Sequence, residues 1–62
     1  MKRRDLVRKI TKAGCKLIRR GGRHDWYQNP ELKKAQPVPR HKEINEMLAR
    51  HILKELGISD EA

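Results

Sequence analysis

The apolar positions fall into two helical stripes separated by a stretch of shorter period. Over residues 3–13, Leu6, Val7, Ile10 and Ala13 recur at helical spacing, with Arg4, Arg8 and Lys12 four residues apart on another face. Gly14 follows the last of these positions, where a left-handed cap ends a helix. "CKLIRR" at 15–20 reads as a strand running into "GG", and "HDWYQ" at 24–28, which holds both aromatics, as its hairpin partner. Which face of the first strand is buried stays open, because Cys15 and Leu17 alternate with Lys16 and Ile18. "NPE" at 29–31 marks a turn, and "KAQPV" at 34–38 a third strand. Pro37 has no N–H for a ladder, so this strand belongs at an edge, or the proline at its end. A second helix spans about 43–56: Ile44, Leu48, Ile52 and Leu56 recur every four residues, joined by Met47 and Leu53. Gly57 stops it, and Ile58 stands where an apolar residue packs back after such a cap. "SDEA" at 59–62 reads as a tail.

The resulting order, α-β-β-β-α, implies an α+β fold in which two helices cover one face of a three-stranded antiparallel sheet. A chain of 62 residues is one domain, 1–62, and buries only about 60% of the surface its unfolded form exposes. The single cysteine, Cys15, excludes an intrachain disulfide and fits a reducing compartment. No apolar run approaches the ~20 residues of a membrane span, and no signal-peptide core follows the basic N-terminus. A cytoplasmic protein is expected.

Charge sharpens this picture through its distribution. Residues 1–24 carry ten Lys or Arg against one acid, Asp5, whereas residues 25–62 carry six basic and seven acidic residues. The plain alternative is a soluble basic face, but nine net positive charges in so short a stretch repel one another, which is easier to rationalise if an anion is the usual partner. Nucleic acid is the favoured partner, with an acidic protein as a compatible second.

The candidate chemistry centres on "LIRRGGRHDWYQ" at 17–28. Glycines at 21 and 22 let a backbone approach a ligand closely or take positive φ. Lys16, Arg19, Arg20 and Arg23 are candidates to hold phosphate. His24 is the side chain that titrates near neutral pH and can move a proton. The plain alternative is a tight basic hairpin with a half-exposed histidine, and composition alone favours it. His41 reads as a loop histidine near a helix start, and His51 as a surface residue of the second helix. Trp26 and Tyr27 alternate across the strand, so one faces the core and the other the open face, where an aromatic can stack a base. No metal or cofactor is expected: Cys15, His24, His41 and His51 lack paired zinc-ligand spacing, and the basic half lacks the clustered carboxylates of a magnesium site. The only serine, Ser59, lies in the tail, and Cys15 sits where a strand begins and is expected to be buried.

Taken together, the elements and motifs resemble the HicA family, the toxins of HicAB toxin–antitoxin systems. The resemblance runs through "KAGCKLIRR", "GGRH", "DWYQNP", "PVPRH" and "MLARHILKELGIS", and so covers nearly the whole chain. It implies a fold like the double-stranded-RNA-binding domain, an mRNA endoribonuclease whose catalytic histidine maps to His24, and a HicB antitoxin that covers the active site. Lys16, Arg19, Arg20, Arg23 and Tyr27 are the expected RNA contacts, with the second proton handled by water, Tyr27 or His41. Two positions depart from the family pattern: Arg23 replaces a small residue before the histidine, and Cys15 replaces an aromatic. A non-catalytic module gripping duplex RNA and a docking surface for an acidic protein are the alternative readings.

Overall fold

The structure is a computed structural model that describes residues 1–58; the tail expected at 59–62 lies outside them. The elements are α1 (Arg3–Lys12), β1 (Lys16–Arg20), β2 (His24–Asn29), β3 (Lys34–Pro39) and α2 (Glu46–Glu55). The three strands form one antiparallel sheet in the order β1-β2-β3, so the proline-bearing β3 does lie at an edge. None of the described helices is long and apolar enough to cross a membrane.

Both helices end as their glycines dictate. Gly14 takes φ +98° and Gly57 φ +74°, conformations that a side chain disfavours. After α1, the Cys15 N–H donates to the Ile10 carbonyl and the Gly14 N–H to Thr11. After α2, the Ile58 N–H donates to Leu53 and the Gly57 N–H to Lys54. This paired pattern satisfies the last carbonyls of each helix and turns the following apolar residue, Cys15 or Ile58, back onto the core.

The core joins Leu6 and Ile10 of α1, Ala49, Ile52 and Leu53 of α2, the flanking Leu56, Cys15 and Ile44, and Tyr27 and Val38 from one sheet face. Pairing explains the sidedness of the sheet. Residues opposite one another share a face, so Asp25, Tyr27 and Asn29 of β2 point with Val38 and Gln36 of β3 toward the helices. His24, Trp26 and Gln28 point with Pro39, Pro37 and Ala35 to the uncovered face. Leu17 pairs with Tyr27 and faces the helices, yet is 39% exposed because β1 is the other edge.

Three details differ from the sequence expectation. Ala13 is exposed, because α1 ends at Lys12 before the stripe reaches it. Met47 and Leu48 are also exposed; the buried stripe of α2 is Ala49, Ile52, Leu53 and then Leu56. A four-residue step overshoots a 3.6-residue turn by about 40°, so within the helix Leu48 drifts to the edge of the stripe that holds Ile52 and Leu56, while Ile44 is buried from outside the helix. Finally, α2 begins at Glu46 rather than 43. Residues 42–44 are drawn into pairing with the start of the chain: Lys2 bridges Glu43, the Arg3 N–H donates to Lys42, and the Ile44 N–H donates to Met1. Asn45 then caps the helix, its side-chain oxygen accepting from the Met47 and Leu48 N–H groups at 2.8 and 3.3 Å.

Candidate active site

The β1–β2 hairpin carries the candidate site. Its closing bond runs from the Gly21 N–H to the His24 carbonyl at 2.8 Å, which leaves Gly22 and Arg23 at the tip. Neither Gly21 nor Gly22 adopts the left-handed conformation allowed for in the sequence reading. Space is tight at Gly21 instead: a Cβ there would lie 3.0 Å from the His24 carbonyl oxygen. At Gly22 a Cβ would meet nothing within 4 Å.

An ion network under the hairpin holds this loop. Arg40, just after β3, donates from Nη2 to the Gly21 carbonyl at 2.8 Å and to Asp25 Oδ1 at 2.7 Å, with Nε also 3.0 Å from Oδ1. Arg3, at the start of α1, donates from Nη2 to Asp25 Oδ2 at 2.9 Å and from Nε to the Pro39 carbonyl at 2.8 Å. One carboxylate thus ties together α1, the end of β3 and the hairpin. Hydrogen bonding from Arg40 holds the Asp25 carboxyl below the usual range; partial desolvation opposes this, and the charges of Arg40, Arg3 and Arg20 add to it. Local sequence pattern does not mark Asp25, Arg3 or Arg40 as partners. The available signal was an acid placed directly after the histidine in a strongly basic neighbourhood.

His24 is exposed, at the first position of β2 on the uncovered face. A bulge at Ile18 decides which cations join it. Leu17 pairs with Tyr27 and Arg19 with Trp26, so the extra residue brings Lys16 and Arg19 onto the face of His24 and Trp26. Arg20 pairs with Asp25 and belongs to the helix-covered side. Arg23 sits at the loop tip, where Gly22, Arg23, Arg40 and His41 line a hollow of about 410 Å³.

Tyr27, expected among the RNA contacts, lies instead in the core at 9% exposure, because its register sends it toward the helices. Trp26 is the half-buried aromatic on the open face. Cys15 is 3% exposed and burial pushes its thiol pKa up, which suits packing rather than nucleophilic attack. Among the described residues, no group of three or more His, Cys, Asp or Glu side chains is arranged to hold a metal ion.

By its fold the protein belongs to the α+β class with the order α-β-β-β-α, an open antiparallel sheet and a basic β1–β2 hairpin. The family model described as the HicA toxin of bacterial toxin-antitoxin matches residues 3–58, all but the first two and last four residues. The chain belongs to the HicA toxin family, and membership in a toxin–antitoxin family implies an antitoxin partner. No curated protein and no solved structure matches the chain significantly.

Proposed function

We propose that this chain is a metal-independent endoribonuclease that cleaves mRNA, uses His24 as its single catalytic histidine, and is neutralised by a HicB-like antitoxin. The observation that carries the reading is an exposed imidazole at the root of a pinned basic loop, on the uncovered sheet face with Lys16, Arg19 and Trp26. Family membership supports it independently.

In this reading the neutral His24 imidazole takes the proton from a ribose 2′-OH. The oxygen attacks the adjacent phosphorus, and the bond from phosphorus to the 5′-oxygen breaks. The departing oxygen receives a proton from the imidazolium or from water, leaving a 2′,3′-cyclic phosphate and a free 5′-OH. Lys16, Arg19 and Arg23 stabilise the negative charge that builds on the phosphoryl oxygens. Trp26 takes the base-stacking role for which Tyr27 is wrongly oriented. The antitoxin acts by covering the His24 face.

Positioned acid–base catalysis contributes about 10²- to 10⁴-fold. The His24→Ala variant is therefore expected to cleave RNA at least about a hundredfold more slowly in buffer containing EDTA, while binding RNA nearly as well. Undiminished cleavage by this variant would sink the assignment. A wild-type protein that binds RNA but never cleaves it would favour a non-catalytic binding module.

A further inference from the structure

Lys2, Arg3, Arg4, Arg40, Lys42 and Glu43 line an open groove of about 580 Å³ where the start of α1 meets the stretch after β3. Five of the six lining residues are cations. Its one acid, Glu43, is 3.0 Å from the α-amino group of Met1. Arg3 and Arg40 are paired with Asp25, which leaves Lys2, Arg4 and Lys42 with no ion pair among the described residues. These charges come from two segments, the start of α1 and the stretch after β3, which the Lys2–Glu43 bridge and the Arg3–Lys42 hydrogen bond hold side by side. Packing unpaired cations together in this way raises their mutual repulsion, which an anion relieves.

The groove also adjoins the hollow at the hairpin tip. Arg40 forms a wall of both this groove and the hollow lined by Gly22, Arg23 and His41. A polyanion lying in the groove and passing over Arg40 reaches the hairpin tip at Arg23, the residue before His24 in the chain. An acidic protein segment would match the charge equally well, but the Arg40 wall shared with the hollow of Arg23, a proposed phosphate ligand, favours a phosphodiester chain.

We infer that the groove of Lys2, Arg4 and Lys42 is a phosphate track for the RNA strand flanking the scissile bond, which rests on the ribonuclease reading above. The three side chains grip backbone phosphates without reading sequence, and Arg40 joins this track to the loop. The track adds affinity for RNA long enough to reach it.

The test compares two charge-matched triple variants, each in a His24→Ala background to prevent cleavage. One is Lys2→Gln, Arg4→Gln, Lys42→Gln. The other is Lys12→Gln, Lys34→Gln, Lys54→Gln, three exposed cations at the opposite ends of their elements. Binding of a fluorescent, unstructured 20-nucleotide RNA is followed by anisotropy over a salt series. Single strands release about 0.7 counterion per phosphate contact, so losing three contacts flattens the log–log salt slope by about 2. The groove triple is expected to show this, with binding roughly tenfold or more weaker at low salt, while the remote triple shows little change. Lys42→Gln alone, which spares α1, is expected to flatten the slope by about 0.7. Equal effects of the two triples would overturn the track. So would intact RNA binding by the groove triple together with weakened antitoxin binding, which would assign the groove to protein. A wild-type chain that fails to cleave, combined with selective loss of binding in the groove triple, would remove the nuclease reading and still support the track.

Discussion

Gly21 and Gly22 are adjacent, identical in type and both near the candidate catalytic histidine, yet they answer to different constraints. A methyl group at Gly21 would sit 3.0 Å from the His24 carbonyl oxygen, about 0.4 Å closer than an ordinary contact. That oxygen already accepts the hairpin-closing bond from the Gly21 N–H at 2.8 Å, so it cannot retreat without weakening the bond. Crowding of this kind costs about 1–3 kcal/mol, offset by about 0.4–1 kcal/mol from the reduced freedom of the unfolded chain. A net loss of about 1 kcal/mol lowers the melting temperature of so small a domain by about 4–8 °C. Displacing a catalytic group by about 1 Å costs about a hundredfold, so a shift of ~0.4 Å at His24 costs several-fold in cleavage. At Gly22 a methyl group meets nothing within 4 Å, and the backbone is not left-handed. Gly22→Ala is therefore expected to melt a few degrees higher than wild type. Its cleavage rate then isolates the role of the loop tip, because only close approach of a ligand backbone would make the methyl group harmful. Thermal melts and single-turnover cleavage of a short RNA by both variants provide the assay. If Gly21→Ala melted and cleaved like wild type, or proved less disruptive than Gly22→Ala, the account of this hairpin would be wrong.

Two further predictions concern what holds the frame. The Asp25 carboxyl titrates below its unfolded value of about 3.9, so its contribution to stability is present above that value and is lost as pH falls through the folded pKa. Asp25→Asn should therefore be less stable than wild type at pH 7, with the difference shrinking as the medium is acidified through and below pH 4; a difference independent of pH in matched urea melts would refute this. Asn29 is buried, donates to the Leu56 carbonyl at 2.8 Å and accepts from the Glu31 N–H at 3.1 Å, so it ties the β2–β3 turn to the end of α2. Asn29→Ala should cost about 2–4 kcal/mol, the sum of two hydrogen bonds and an unpaired buried carbonyl, and a loss under about 0.5 kcal/mol by urea denaturation would show that the tie is dispensable.

The order of elements was legible in the chain because the signals behind it are local. Leu6 and Ile10 mark a buried helical stripe, Gly14 and Gly57 end the helices, and Pro37 marks an edge strand; none of these needs a distant partner to be read. His24 and the cations around it were equally visible, since charge and side-chain chemistry do not depend on the fold. What the tertiary structure alone decided was orientation. Tyr27 and Trp26 are neighbours in an alternating strand, and only pairing with β3 sends the tyrosine to the core and leaves the tryptophan on the open face. Lys16 and Arg19 share a face only because one residue bulges at Ile18, a defect in register that alternation along a single strand cannot reveal. The Arg3–Asp25–Arg40 network, too, joins residues 22 and 15 positions apart, and distance along a chain says nothing about which opposite charges will meet once the sheet and helix pack. Local periodicity and backbone chemistry sufficed to specify the elements; which side chains converge on His24 depended on strand register and long-range packing, which exist only in the folded chain.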